Sequence, residues 1–158
     1  MLVSHPRLRP SAEVSGRLLD RQVTPITVLS MEILSALFIE GIDTRQVDGP
    51  STRIDITGIQ FSAAAPHAVP VSLEPHLCVI VHCPPGSKDS GVLEVVYLRG
   101  EEQIARNVQP LQVEPGKFNY RLVRAELMFE EYGTIEAHCR VDLGPVTIVP
   151  FTLLPPIS

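Results

Sequence analysis

From Met31 onward, apolar residues recur at every second position over short stretches, and Gly, Pro, Asp and Ser separate the stretches. A period of two puts alternate side chains on opposite faces of an extended chain, so the pattern predicts half-buried strands. MEILSALFIEGI (31–42) reads as the first strand and DTRQVDGPST as the turn after it. Asp48-Gly49-Pro50 is the strongest signal in that turn, because glycine accepts positive φ and proline cannot continue a ladder. RIDITGIQFSA (53–63) alternates through Ile54 and Ile56, then Ile59 and Phe61, and a bulge is expected at Gly58, where the face changes. APHAVPVSLEP is a proline-punctuated crossing that leads into a strand over 76–83, stopped by Pro84-Pro85-Gly86.

GVLEVVYLRG (91–100) follows as the next strand, then EEQIARNV as a weaker edge strand across Gly100. FNYRLVRAELMF (118–129) alternates with a shift of face near Leu122 and Val123. TIEAHCRVDL (134–143) is the cleanest case. Ile135, Ala137, Cys139, Val141 and Leu143 share one face, and Thr134, Glu136, His138, Arg140 and Asp142 the other. Gly144-Pro145 turns the chain into VTIVPFTLL. About eight strands with turn signals between them predict an all-β domain, a two-sheet antiparallel sandwich over residues 31–158. An immunoglobulin-like topology is the leading expectation and a jelly roll or small barrel the runner-up.

The first 30 residues lack this period and mix prolines, arginines and hydroxyl residues. They read as an N-terminal arm, flexible or docked on a partner, with Met31 as the natural start of the domain. The arm holds four arginines against Glu13 and Asp20, a net +2. Residues 31–158 hold nine basic and sixteen acidic side chains, a net −7. So acidic a body repels a polyanion, and four scattered arginines neutralise few phosphates, so no nucleic-acid partner is expected.

Composition narrows the picture further. Trp is absent and Phe and Tyr number five and three, so the core must be aliphatic. Fifteen prolines oppose long helices, since each interior proline costs a helix about 3 kcal/mol. The longest uncharged run, Ile56 to Leu73, is broken by Gly58, Pro66 and Pro70 and is not expected to span a membrane. Three cysteines at irregular spacing do not form a disulfide framework, and nothing before Met31 has the order of a secretory signal, so a reducing cytoplasm is expected.

HLCVIVHC (76–83) gathers two of the five histidines and two of the three cysteines. On a strand His76, Cys78, Ile80 and His82 share one face. Six residues at 3.3 Å each separate His76 from His82 by about 20 Å, however, whereas zinc needs every ligand within about 2.3 Å. Only His76 and Cys78 stay in play as weak metal candidates, and no CxxC, HxH or HExxH supplies further ligands. The row His76, Cys78, Ile80 and His82 is expected instead to be an outward interaction face, with Leu77, Val79, Val81 and Cys83 in the core. Cys83 and Cys139 are expected as buried thiols.

Other chemistry is sparse. No GxSxG elbow surrounds Ser15, Ser62 or Ser87. GSKDSG (86–91) lacks Walker spacing and reads as a hairpin-like loop. Asp43, Asp48, Asp55, Glu130, Glu131 and Asp142 have no calcium-loop order and read as solvated surface. A hydrolase would need a dispersed cluster, such as His67, His76 or His138 with Glu130 or Asp142.

Three stretches carry a resemblance: ILSALFIEGIDTRQVDGPSTRIDITGIQFS, LEPHLCVIVHC, and the closing EEYGTIEAHCRVDLGPVTIVPFTL. Over Met31 to Leu154 the chain resembles the bacterial all-β proteins grouped as domain of unknown function 6941. The resemblance implies a sandwich fold and a bacterial origin, and it brings no catalytic residue. The functional expectation is thus a non-enzymatic cytoplasmic domain that binds a protein partner or itself, without a cofactor and without contact to a membrane. The alternative is a sandwich that holds a small ligand at its loop ends, and a hydrolase comes last.

Overall fold

The structure is a computed structural model and describes residues 29–158, so all but the last two residues of the expected arm lie outside it. Twelve strands follow one another: β1 (Glu32–Ile39), β2 (Gly41–Gln46), β3 (Thr52–Thr57), β4 (Ser62–Ala64), β5 (Val71–Leu73), β6 (His76–His82), β7 (Ser90–Arg99), β8 (Glu102–Gln112), β9 (Phe118–Val123), β10 (Leu127–Phe129), β11 (Gly133–Val141) and β12 (Thr147–Leu154). Among the described residues there is no helix. The described residues are all-β, with more strands than the eight expected because three predicted strands, 31–42, 53–63 and 118–129, are each broken and one short strand, β5, forms in the crossing.

The strands make a five-stranded sheet in the order β4-β12-β11-β7-β8, a three-stranded sheet β1-β6-β9, and the pairs β10-β5 and β2-β3. None of them closes, which rules out the small barrel. Pairing is antiparallel except between β4 and β12, which run parallel. Inward side chains of the three- and five-stranded sheets merge into one cluster, with Leu77, Val79 and Val81 on one side and Leu93, Val95 and Tyr97 on the other. Phe38 packs on Phe151 at 5.1 Å and Phe151 on Phe129 at 6.5 Å, a tilted trio at its centre. Full burial of each such ring contributes roughly 1.5–3 kcal/mol.

The first break explains a protruding hairpin. Residues 43–46 belong to β2 and not to a turn: Asp43 faces Asp55 and Arg45 faces Arg53, and Arg45 reaches diagonally to Asp55 at 2.6 Å. Only residues 47–51 turn the chain. Gly58 does not mark a bulge, since Gly41 pairs with Thr57 and Phe38 with Gln60 in one unbroken register. It is there because its φ is +64°, a left-handed backbone that glycine alone adopts without strain. The inserted residue lies instead in β1, where the register shifts between Ile33 and Ser35 and leaves Leu34 exposed.

The last break divides 118–129 into β9 and β10, and the shift of face near Val123 is the end of β9. The outer edge of β9 is occupied. Tyr120 N–H donates to Asn119 Oδ1 at 2.8 Å, Gln109 donates to the Leu122 carbonyl at 3.5 Å, and Asn107 to the Arg124 carbonyl at 3.3 Å. The last two bonds tie β8 to the end of β9 across the two sheets and make that edge less available to another strand. The alternation of 134–143 holds through Val141 and then fails: Leu143 is 91 % exposed rather than in the core. Asp142 adopts φ 50° and anchors Val92 N–H through Oδ1 at 2.9 Å, so the chain turns one residue before Leu143 could face inward.

Candidate functional site

The segment His76–His82 is the central strand of the three-stranded sheet, between β1 and β9. Leu77, Val79, Val81 and Cys83 are in the core as the alternation requires. The opposite row is less open than expected. Cys78 is only 1 % exposed, and His76, Ile80 and His82 are half-buried. Cys78 lies between Leu37 of β1 and Leu122 of β9, and His76 lies beside buried Ile39, so this outer face is itself apolar. Burial pushes the Cys78 thiol above its usual range. Among the described residues, no three His, Cys, Asp or Glu side chains converge as a metal site.

His82 has a definite job. Its Nδ1 lies 3.0 Å from Glu32 Oε1 across the β1–β6 ladder, and its ring stacks on Phe118 with centroids 4.5 Å apart and planes 26° from parallel. Phe118 keeps 59 % of its surface exposed, so one ring face is backed by imidazole and the other looks outward. Beyond it a groove of about 670 Å³ separates the start of β9 from the β2–β3 hairpin. Thr44, Ser51, Thr52 and Ile54 line the hairpin side, and Phe118, Asn119 and Tyr120 the other.

The second surface is the outer face of the five-stranded sheet. Glu94 stands at its centre and takes Arg106 on Oε2 at 2.6 Å and Arg140 on Oε1 at 3.0 Å. The two guanidinium groups hold its carboxyl below the usual carboxylate range, Arg106 contributing more. Apolar side chains surround these charges: Val92 and Val108 on the β7–β8 side, Ile148 and Leu154 on β12, and Val146 just before it are all exposed. Val96 and Leu98 fill the middle, where a shallow dent of about 220 Å³ reaches His138.

The dispersed catalytic cluster does not assemble. His138 Nε2 meets Glu136 at 3.5 Å, while the Asp142 carboxylate is taken by Val92 N–H and His67 sits on the Ala68 carbonyl. The first four residues of GSKDSG lie in the loop between β6 and β7 and the last two open β7, and the Ser87 hydroxyl donates to the Leu29 carbonyl at 3.3 Å. Cys83 and Cys139 are buried free thiols, and burial pushes Cys139 up to about 12. Neither the Phe118 platform nor the triad Arg106–Glu94–Arg140 was read from the sequence. The one available signal was local: Phe118 follows Gly116-Lys117, an aromatic at a strand's mouth. The partners come from residues 36 and 46 positions away. Compared with known proteins, the chain matches no family model, and no curated protein matches it.

Proposed function

We propose that this chain is a non-enzymatic interaction domain that pairs with a second copy of itself through the outer face of its five-stranded sheet. The observation that carries this reading is the row of exposed aliphatic side chains around an internally neutralised centre. The aliphatic side chains of β12 and β7 flank the polar outer row of β11, Glu136, His138 and Arg140, and exposed apolar surface rimmed by polar groups marks interaction sites. Because Glu94 satisfies Arg106 and Arg140 within the face, and His138 lies by Glu136, little charge is left to select a charged partner. A face equally mixed and equally neutral fits best, and a second copy presents one.

Size supports a modest affinity. Four long strands about 4.8 Å apart and about eight to ten residues long span about 19 by 30 Å, or about 600 Å² of projected area. That is short of the ~800 Å² per partner of a standard interface, so dissociation in the micromolar range is expected. Ile148→Asp puts a charge among the exposed aliphatic side chains of β12 and should raise the dissociation constant at least tenfold with an unchanged circular dichroism spectrum. Sedimentation equilibrium from 5 to 500 µM reads this. A wild-type chain that stays monomeric throughout sinks the proposal, including the case in which a different protein binds this face.

The finer topology belongs to the same reading. The order β12-β11-β7-β8 opposite β1-β6-β9 supports an immunoglobulin-like sandwich, because strands of that fold distribute as G, F, C and C′ against A, B and E. Three unpaired thiols support a reducing compartment such as the cytoplasm.

A further inference from the structure

We infer that the groove between the β2–β3 hairpin and β9 is a binding site for a neutral oligosaccharide, with Phe118 as its stacking platform. The platform is built before any ligand arrives. Glu32 holds His82 at 3.0 Å, and His82 backs one face of the Phe118 ring at 4.5 Å. The other face is free to take a flat partner, and a ring already held in place loses little freedom on binding. Phe118 is 59 % exposed and stands at the wall of a groove.

The lining selects the chemistry. Lys117, the one charged side chain in it, is paired with Glu114 at 2.6 Å, and Arg45 with Asp55 on the opposite face of the hairpin. Glu114 balances the charge of Lys117, so among the described residues the lining offers a phosphate or carboxylate ligand no net positive charge. An entirely apolar ligand would strip water from Thr44, Ser51, Thr52, Asn119 and Tyr120, which costs free energy at each unpaired group. A pyranose ring satisfies both demands, because its C–H face stacks on the electron-rich face of an aromatic ring and its hydroxyls exchange hydrogen bonds with hydroxyl and amide side chains. At about 670 Å³ the groove has the volume of ordinary ligand sites and holds more than one sugar ring.

The test uses the full chain and a panel of neutral trisaccharides: cellotriose, maltotriose, chitotriose and mannotriose. Two-dimensional amide NMR with up to 10 mM sugar should shift resonances of Thr52–Ile54 and Phe118–Tyr120 with at least one of them. Phe118→Ala should weaken that binding at least tenfold while the spectrum elsewhere is unchanged, and Phe118→Tyr should retain it within threefold. His82→Ala, which removes the backing alone, should fall between the two. Ile148→Asp, on the other side of the molecule, should bind sugar as wild type does, so loss of self-association and loss of sugar binding are read separately. No shift with any trisaccharide, or shifts confined to other surfaces, overturns the inference. So does a result in which deletion of residues 1–28 moves the groove resonances and no sugar does, since the groove then belongs to the chain's own N-terminal segment.

Discussion

Tyr97→Phe should stabilise this protein, although it removes a polar group and adds nothing. Tyr97 lies on the inner face of β7 and is completely buried, and its hydroxyl has no hydrogen-bond partner among the described residues. Burial accordingly holds its phenol well above the usual range. A buried hydroxyl without a partner costs about 1–3 kcal/mol, and the substitution keeps the ring and its packing. The expected gain is about 1 kcal/mol after the small void left by the oxygen is counted. Over about 130 ordered residues, at about 2.1 cal/mol/K each, that gain raises Tm by about 4 °C.

Urea titration and calorimetry of the two proteins measure the gain. The sign is decisive because of a neighbour. Asn107 Oδ1 is also buried without a partner, and Asn107 pairs with Val95 two positions from Tyr97 on the same strand. Were the hydroxyl to donate to that oxygen, Tyr97→Phe would leave an acceptor orphaned and would destabilise the fold by about 1–2 kcal/mol. A loss of that size refutes the reasoning. Asn107→Ala combined with Tyr97→Phe then separates a direct bond, whose coupling is large, from two independent orphans, whose effects add.

Gly58→Ala and Gly49→Ala, both at left-handed backbone positions, should each cost about 1 kcal/mol in the same titration, since the exposed Glu40 side chain can swing away from a Cβ at Gly58. Glu94 is depressed in the folded state, so its contribution is present above the ordinary carboxylate range near pH 4.3 and is lost as pH falls through its lower folded value. Glu94→Gln should therefore destabilise at pH 7 and converge on wild type as pH falls below the ordinary carboxylate range, as thermal melts across that range would show. All three thiols are buried, and Cys78 and Cys139 are raised as well, so Ellman's reagent should label none at pH 8 in native buffer and three in denaturant. Prompt labelling of one thiol in the folded protein contradicts the burial.

Alternation exposed most of the fold in advance, because a period of two is a local property. Leu77, Val79 and Val81, or Ile135 through Val141, could be assigned to the core from their own stretch. Where the reading failed, the deciding contact came from elsewhere in the chain. Cys78 looked outward by period and is nonetheless buried, because Leu37 and Leu122 flank it from strands 41 and 44 positions away. Leu143 continued a flawless pattern and lost its place to the turn at Asp142, whose side chain is spoken for by Val92. Residues 43–46 are too polar to read as a strand, yet they pair as one because a hairpin that stands away from the core needs no apolar face of its own. The site residues follow the same rule. HLCVIVHC drew attention by composition, but only His82 enters the groove's framework, and it does so through Glu32 and Phe118, which no spacing connects to it.

The two surfaces have a geometric relation that ties their functions together. Phe118 and Tyr120 sit opposite His82 and Ile80 on the outer side of the three-stranded sheet, and the apolar face with Glu94 is on the outer side of the five-stranded one. Inner faces of both sheets meet in one core, so these outer faces point in opposite directions. Two copies joined through the five-stranded sheets therefore carry their grooves at the far ends of the pair, neither blocking the other. Such a pair is bivalent, and for a ligand chain presented at a surface, weak single-site binding is multiplied through effective concentration by about 10²–10⁴. Millimolar binding at one groove is then compatible with stable attachment of the dimer. Ile148→Asp, which leaves each groove intact, should abolish retention on an immobilised oligosaccharide while preserving binding of the free trisaccharide. Equal retention of the two proteins would show that the grooves act singly.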